Sequence, residues 1–127
     1  MSKYVLDASA ILALLDAEIG ADKVAAVLVD AAIGTVNLAE VHSKLSERGQ
    51  FGRQALAEIL SVADAVLPFT EEHAAITGSL RASTMHLGLS FGDRACLALG
   101  IALGAEVYTA ERVWAKLRLP CVVYLIR

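Results

Sequence analysis

The sequence contains few of the residues that zinc sites and disulfide frameworks require. It has 2 cysteines and 3 histidines in 127 residues. Cys96 and Cys121 are far apart, and the histidines lack the spacing that is typical of zinc ligands. Disulfides are rare in the cytoplasm, where we expect this chain to reside. The sequence therefore argues against a zinc site and against a structural disulfide.

Long apolar runs are also missing, although 57% of the residues are hydrophobic and the mean hydropathy is +0.59. The longest stretch without a polar side chain, Ala95 to Ala105, is closed by Arg94 and Glu106. It is shorter than the roughly 20 residues that span a membrane. The opening MSKYVLDAS lacks the layout of a signal peptide. We therefore expect a cytoplasmic protein with no membrane span, and the high apolar content favours an oligomer or a tight protein partner.

Positive charge does not dominate the chain. Lys and Arg number 11 against 14 Asp and Glu, which gives a formal net charge of -3. Proteins that bind nucleic acid through a broad basic face usually carry net positive charge. If this protein acts on a polyanion, its phosphates must be neutralised locally, for example by a bound metal ion.

Short β-branched runs alternate with longer helical stretches along the chain. Strands are predicted at residues 3–6, 34–36, 65–69, 106–109 and 121–126. Helices are predicted at residues 10–15, 21–32, 38–48, 54–62, 71–86, 91–103 and 112–117. This alternation favours an α/β domain with a five-stranded parallel sheet covered on both faces. Pro68 places the third strand at an edge of the sheet or ends it.

Four carboxylates follow the predicted strands or begin predicted helices. Asp7 follows the first strand, Glu40 the second and Glu111 the fourth, while Asp93 lies in the first turn of the helix that Ser90 opens. Parallel strands all point the same way, so their carboxyl ends share one edge of the sheet, where ligands bind in open α/β folds. We expect the four carboxylates to converge there if the Asp93 helix also starts at that edge.

Each acid also has a simpler interpretation as a helix cap, because carboxylates are favoured in first helical turns. Asn37 and Glu40, like Ser90 and Asp93, have the spacing of a capping box. Converging carboxylates repel one another, however, and a hard divalent cation such as Mg²⁺ or Mn²⁺ removes that penalty. Such an ion activates water and stabilises phosphoryl charge. The cluster therefore favours a metal-dependent phosphodiester hydrolase or phosphatase.

Four ordered blocks of the sequence resemble those of PIN-domain proteins, and more narrowly of the VapC-type toxins of VapBC toxin–antitoxin pairs. The blocks are VLDASAILALL, VNLAEV, LSFGDRACLAL and YTAERVW. The resemblance implies a single PIN domain over residues 1–127 with a PIN-like three-layer fold. It further implies an endoribonuclease that uses Mg²⁺ or Mn²⁺ and a metal-bound water to hydrolyse RNA. A cognate VapB-type antitoxin and a homodimer are the implied partners.

Carried over residue by residue, the resemblance implies a catalytic quartet of Asp7, Glu40, Asp93 and Glu111. The implied metal ligands are Asp7, Glu40 and Asp93. Polar companions that would orient ligands or water are Ser9, Asn37 and Thr109. Candidate RNA contacts are Arg48, Arg94 and Arg112. Family members usually carry Asp where this chain has Glu111, which leaves the role of the fourth acid open between direct and water-mediated binding.

Two alternatives stay open. A PIN-fold module that binds RNA or protein without cutting is supported only by Glu111. A receiver-like domain or aspartyl-phosphate phosphatase would also place an Asp after the first strand. That alternative is disfavoured, because DASA has no second acid two residues after Asp7 and AVLPFTEE has no Asp at the tip of the third strand.

Overall fold

Strands and helices alternate along the computed structural model, which describes residues 1–127. The strands are β1 (Tyr4–Leu6), β2 (Ala31–Gly34), β3 (Ala65–Leu67), β4 (Glu106–Thr109) and β5 (Val123–Leu125). The helices are α1 (Ala8–Leu15), α2 (Ala21–Val27), α3 (Thr35–Glu47), α4 (Arg53–Val62), α5 (Glu71–Ser79), α6 (Arg81–Thr84) and α7 (Phe91–Leu103). Three 3₁₀ segments cover Leu28–Asp30, Met85–Leu87 and Arg112–Lys116.

The five strands form one parallel sheet in the order β3-β2-β1-β4-β5. This confirms the predicted five-stranded parallel sheet. The third strand is an edge strand that ends directly before Pro68, where the missing amide of proline costs no ladder hydrogen bond. β1 and β4 are neighbours in the sheet, with Leu6 opposite Tyr108.

Apolar side chains fill both faces of the sheet, which gives the three-layer α/β architecture. One core of 14 buried residues lies on the side of α1 to α4 and includes Leu6 and Ile33. A second core of 9 buried residues includes Val5, Leu97 and Trp114, on the side of α7 and the last 3₁₀ segment. Val5 and Leu6 are both 0% exposed because successive strand residues point to opposite, covered faces.

Helix α7 has the predicted bounds, Phe91–Leu103. Its C-cap residue, Gly104, has a φ of 63° and lies in the left-handed region. Glycine adopts this conformation without the steric cost that other residues incur. α7 leads into β4, so its first turn lies at the carboxyl end of the sheet and its last turn at the amino end. No helix of the chain is both long and apolar enough to cross a membrane.

The predicted second strand, residues 34–36, begins three residues too late, and the following helix therefore starts earlier than predicted. The strand is Ala31–Gly34, and α3 begins at Thr35, where a strand was predicted. The predicted helix over residues 21–32 ends at Val27 and is followed by a 3₁₀ turn. All four strand residues are buried, and a fully buried strand lacks the polar alternation that distinguishes strands from buried helices.

Two other helix predictions were wrong in type or continuity. The predicted helix over residues 71–86 is divided into α5, α6 and a 3₁₀ turn that ends at Gly88, with a φ of 72°. The predicted helix over residues 112–117 is a 3₁₀ segment, Arg112–Lys116. Its five residues are too few for a stable α-helix unless tertiary contacts hold it.

Candidate active site

The candidate site lies where the two central strands end. The chain leaves β1 toward β2 on one side, whereas β4 lies on the other side, so the β1–β4 junction is where the strand order reverses. Ligands of open α/β sheets bind beyond the carboxyl ends of strands at such a point. Asp7 directly follows β1, and Thr109 is the last residue of β4.

Asp7 is a buried carboxylate that is held by three hydrogen bonds. Only 3% of its surface is exposed. Its Oδ1 accepts from the Ser9 hydroxyl at 2.7 Å and from the Ala10 amide at 2.8 Å, while its Oδ2 accepts from the Thr109 hydroxyl at 2.6 Å. The Ala10 bond makes Asp7 the N-cap of α1. The helix-cap interpretation is therefore correct, although it accounts for only one of the three bonds.

The directions of the two hydroxyl bonds to Asp7 follow from backbone amides. The Ala110 amide donates to Ser9 Oγ at 2.9 Å, and the Glu111 amide donates to Thr109 Oγ1 at 3.0 Å. Each hydroxyl oxygen thus accepts from an amide of the turn after β4 and turns its proton to the carboxylate. The backbone beyond β4 therefore fixes Asp7 as an acceptor.

The pKa of Asp7 is raised from 3.8 to about 6, chiefly because burial penalises the charged form. Hydrogen bonds from Thr109, Ser9 and the Ala10 amide lower it, and the negative charge of Asp93 raises it further. The carboxylate is thus a buried negative group whose burial is only partly compensated by its donors. A cation at this position would remove the remaining penalty.

Glu40 is held over the first turn of α7 by Asn37. Asn37 is 2% exposed, and its Nδ2 donates to Glu40 Oε1 at 2.7 Å and to the Gly92 carbonyl at 3.1 Å. A Cβ atom on Gly92 would overlap all three carboxyl atoms of Glu40. Burial raises the pKa of Glu40, the Asn37 bond lowers it, and the charge of Asp93 raises it.

The capping-box prediction for Asn37 was wrong, because α3 begins earlier than predicted. Its N-cap position is occupied by Gly34, which makes no side-chain cap bond, and Asn37 lies inside the first turn of the helix. The Asn37 amide instead joins two helices, since its second acceptor is on α7.

Asp93 completes a trio of carboxylates at this edge. It forms the predicted capping box with Ser90, in which the Asp93 amide donates to Ser90 Oγ at 3.2 Å and the Ser90 amide donates to Asp93 Oδ2 at 2.9 Å. Its charge raises the pKa of both Asp7 and Glu40, so it lies within electrostatic range of both. The three predicted residues therefore all lie at the carboxyl edge of the sheet, with Glu40 packed on the first turn of α7 that carries Asp93.

Glu111 is placed differently from the other three acids. It is exposed, it precedes the last 3₁₀ segment, and its side chain makes no cap hydrogen bond. Its backbone amide, by contrast, binds the Thr109 hydroxyl that holds Asp7. The residue is thus coupled to the site through its main chain, with an exposed carboxylate at the rim.

The three arginines that were predicted to contact RNA are in different surroundings. Arg94 lies beside the site on α7, and its Nη1 donates to the Thr77 carbonyl at 3.0 Å. Arg112 is exposed next to Glu111. Arg48 follows the far end of α3 and pairs with Asp16 at 2.9 Å, so it lies away from the carboxylates.

The donor set suits a hydrated hard cation. No three His, Cys, Asp or Glu side chains are arranged to hold one metal ion by direct contact with all three. Mg²⁺ is commonly bound through one or two carboxylates, with water as its other ligands. Burial raises the pKa of the Cys96 thiol well above its ordinary value, so the nearby sulfur stays protonated and is not a soft ligand.

Sequence reasoning missed Gly92. The structure shows that only a residue without a side chain leaves room for the Glu40 carboxylate. A signal was present, because glycine is unfavourable in a helix by about 1 kcal/mol relative to alanine. A glycine inside the predicted helix, one residue before a candidate ligand, therefore indicated a close approach.

Comparison with known proteins agrees with this architecture. The family model for the PIN domain matches residues 4–119. No curated protein matches the chain significantly. Among solved structures, the chain resembles VapBC from Salmonella typhimurium bound to DNA, with a TM-score of 0.77, 18% identity and complete coverage of both chains.

Two further structures have the same fold. VapBC2 from Rickettsia felis, bound to a promoter DNA fragment, gives a TM-score of 0.75 at 19% identity, with 95% of this chain and 96% of that chain covered. VapBC-5 from Mycobacterium tuberculosis, a member of the VapBC family of toxin–antitoxin systems, gives 0.65 at 26% identity, with 98% of each chain covered. Because the family model spans most of its length, this chain belongs to the PIN domain family.

Proposed function

We propose that this protein is a divalent-metal-dependent endoribonuclease that acts as the VapC-type toxin of a VapBC pair. The observation that carries the proposal is the buried Asp7 carboxylate. It is oriented by three donors, its pKa is raised to about 6, and it lies at the switch point of the sheet within electrostatic range of Asp93. A buried, directed and incompletely compensated carboxylate is suited to binding a cation.

The role of the metal follows from the substrate. When bound, Mg²⁺ or Mn²⁺ neutralises charge on a phosphoryl oxygen and lowers the pKa of the attacking water. Asp7, Glu40 and Asp93 are the residues that would hold the ion, directly or through its waters. This local positive charge allows a chain with a net charge of -3 to receive an RNA phosphate.

The polar companions keep these ligands oriented. Ser9 and Thr109 donate to Asp7, and Asn37 turns Glu40 toward α7. Oriented outer partners of this kind commonly affect metal affinity or activity by about 10- to 100-fold. Glu111, exposed at the rim, would act on the ion or the substrate from a greater distance than the other three acids.

The partner of this protein is a VapB-type antitoxin, by analogy with the VapBC complexes that share its fold. An open groove of about 300 Å³ on the side of α1 and α4 is lined mainly by apolar residues, among them Leu14, Leu15, Ile59 and Val62. Apolar surface of this kind supports a protein partner. A homodimer is the second proposed assembly.

Cleavage of a mixed cellular RNA pool tests the proposal. The purified, antitoxin-free protein is incubated with Mg²⁺, with Mn²⁺ and with EDTA, beside Asp7→Asn. Asp16→Asn is the matched control, because Asp16 caps the far end of α1 and pairs with Arg48. We expect discrete fragments with either metal, none with EDTA or Asp7→Asn, and full activity in Asp16→Asn.

Two results would count against the nuclease. The first is the absence of cleavage by folded protein that binds Mn²⁺, which would favour the PIN-fold binding module that does not cut. The second is cleavage that survives both EDTA and Asp7→Asn, which would place the activity in a contaminant or at another site. Mapping the ends of the fragments would identify the cleaved RNA.

A further inference from the structure

Three aromatic side chains form a cluster beside the carboxylates. The rings of Phe69 and Phe91 meet edge to face with centroids 5.7 Å apart, and the centroids of Phe69 and His73 are 6.3 Å apart. Neither phenylalanine belongs to the two hydrophobic cores. Phe91 is 52% exposed. We call Phe69, His73 and Phe91 the aromatic cluster; it is a surface feature that is held by contacts among its own rings.

The cluster is attached directly to the candidate site. Phe91 is the first residue of α7, the next residue is Gly92, which packs against the Glu40 carboxylate, and Asp93 follows. Consecutive Cα atoms are about 3.8 Å apart. Phe69 and His73 also line a small cavity together with Asn37, the residue that orients Glu40. The exposed ring therefore lies at the same end of α7 as the carboxylates, on the β2–β3 side.

Arg94 adds a cationic group to the cluster. Its guanidinium carbon lies 6.0 Å from the centroid of the Phe91 ring, which is within the range of a cation–π contact. Its Nη1 donates to the Thr77 carbonyl, while its buried Nε has no partner. Because this nitrogen is buried, the contribution of Arg94 to the cluster is the contact of its guanidinium with the Phe91 ring.

The capping of α7 does not require an exposed aromatic ring at position 91. Helix α7 is capped by Ser90 and Asp93, without the help of the ring. The residue before the cap, Leu89, is buried in the second core and anchors the entry to the helix. Phenylalanine is also no better than average as a helix former. The ring is therefore available for a ligand.

We propose that the aromatic cluster stacks one unpaired nucleobase of the RNA strand whose phosphate enters the carboxylate site, with Phe91 as the stacking surface. The inference rests on the proposed nuclease function and assigns a base-binding role to the aromatic cluster. Bases in a duplex are already stacked, whereas splayed bases of single strands bind aromatic faces and arginine planes. Stacking also supplies affinity without positive charge, which suits an acidic chain.

Tryptophan fluorescence tests this contact directly. The chain has one tryptophan, Trp114, which is 1% exposed and gives a constant background. Phe91→Trp places an exposed indole in the cluster. Phe51→Trp is the matched control, because Phe51 is 80% exposed beyond the far end of α3, a helix about 20 Å long. Both variants carry Asp7→Asn to keep the RNA intact.

The probes are a short single-stranded oligoribonucleotide and an abasic oligomer of the same length and charge. We expect the base-bearing strand to quench the indole introduced at position 91 but not the one at position 51, and the abasic strand to quench neither. Phe91→Leu, which keeps apolar area without a π face, should weaken binding of the base-bearing strand by about 5-fold or more and leave abasic binding unchanged.

Equal quenching at both positions, quenching by the abasic strand, or no quenching at saturating RNA would each overturn the proposal. Protection of the indole at position 91 by a protein partner but not by RNA would assign the cluster to a protein interface instead. Quenching without RNA cleavage by the wild-type chain would support the base site and reject the nuclease. Cleavage by the wild-type chain without quenching would support the nuclease and reject the base site.

Discussion

The hydroxyl of Thr109 donates a 2.6 Å hydrogen bond to Asp7 Oδ2 and thereby joins the ends of the two central strands. Thr109 is 0% exposed, and its oxygen accepts from the Glu111 amide. Of the interactions that lower the pKa of Asp7, this bond is the largest. It therefore links the turn after β4 to the charge state of the candidate metal ligand.

Thr109→Val should destabilise the protein and raise the pKa of Asp7. The substitution leaves Asp7 Oδ2 and the Glu111 amide without a partner, and a buried unsatisfied group costs about 1–3 kcal/mol. The acidic limb of the pH profile of RNA cleavage should move to higher pH, because Asp7 then protonates more readily. Urea unfolding and cleavage rates between about pH 5 and pH 8 measure the two effects.

Thr109→Ser is the control for this prediction, since serine keeps the hydroxyl and loses only a methyl group. It should retain the wild-type pH profile and lose less stability than Thr109→Val. Identical pH profiles in the two variants would show that the hydroxyl does not set the charge state of Asp7.

The stability of the metal-free protein should depend on pH through Asp7. Its pKa is about 6 in the folded chain against 3.8 ordinarily, so its contribution is fully present below pH 3.8 and is lost as pH rises through about 6. Asp7→Asn removes this titration. The unfolding free energy of Asp7→Asn minus that of the wild type should therefore increase between about pH 4 and pH 8, by at most about 3 kcal/mol.

Urea unfolding in EDTA at a series of pH values measures this difference, in which the titrating groups that do not interact with Asp7 cancel because both chains contain them. Mn²⁺ at pH 8 should reduce it, since the ion stabilises the wild-type carboxylate and not the amide. A difference that is independent of pH would show that Asp7 keeps its ordinary pKa when folded.

Local patterns were sufficient to predict much of this fold. Strand–helix alternation predicted the parallel sheet, and Ser90 and Gly104 fixed both ends of α7. Asp7 was predicted to be both a cap and a candidate ligand, and the cap is confirmed by its bond to Ala10. The caps depend on residues within about one helical turn of each other, and the alternation repeats along the chain, so sequence spacing describes both well.

The features that were missed depend on tertiary packing. Ala31–Gly34 is a strand with all of its residues buried, and a short apolar run of this kind does not distinguish a strand from a buried helix. Asn37 acts by bridging to Gly92, 55 residues later. The position of Glu111 at the rim likewise depends on the 3₁₀ turn that replaces the predicted helix. None of these contacts leaves a periodic signal.

Glu111→Gln should affect RNA cleavage less than Glu40→Gln does. The Glu111 side chain is exposed and makes no cap bond, whereas Glu40 is half-buried and held by Asn37. We expect a loss of about 10-fold for Glu111→Gln, in the range of outer-shell groups, and a larger loss for Glu40→Gln. Glu111→Asp should remain active. Equal losses for the two glutamine variants at saturating Mn²⁺ would place Glu111 among the direct ligands.

Gly92→Ala should impair the site without destabilising the fold. Alanine in place of glycine in a helix gains about 1 kcal/mol. The new Cβ would overlap the Glu40 carboxyl group, which is the end of a flexible side chain and therefore moves in preference to the backbone. Thermal unfolding should shift upward or stay unchanged, while Mn²⁺ affinity by titration calorimetry and RNA cleavage should both fall.

Gly78→Ala is the matched control for this variant. Gly78 is also inside a helix, α5, but a Cβ there would meet nothing within 4 Å. It should gain stability with unchanged Mn²⁺ affinity and cleavage, because it does not displace a carboxylate. If Gly92→Ala behaved like Gly78→Ala in all three measurements, the position of the Glu40 carboxylate would not matter for metal binding. Lower Mn²⁺ affinity in Gly92→Ala, but not in Gly78→Ala, would show that the absence of a side chain at position 92 is required for the position of the Glu40 carboxylate.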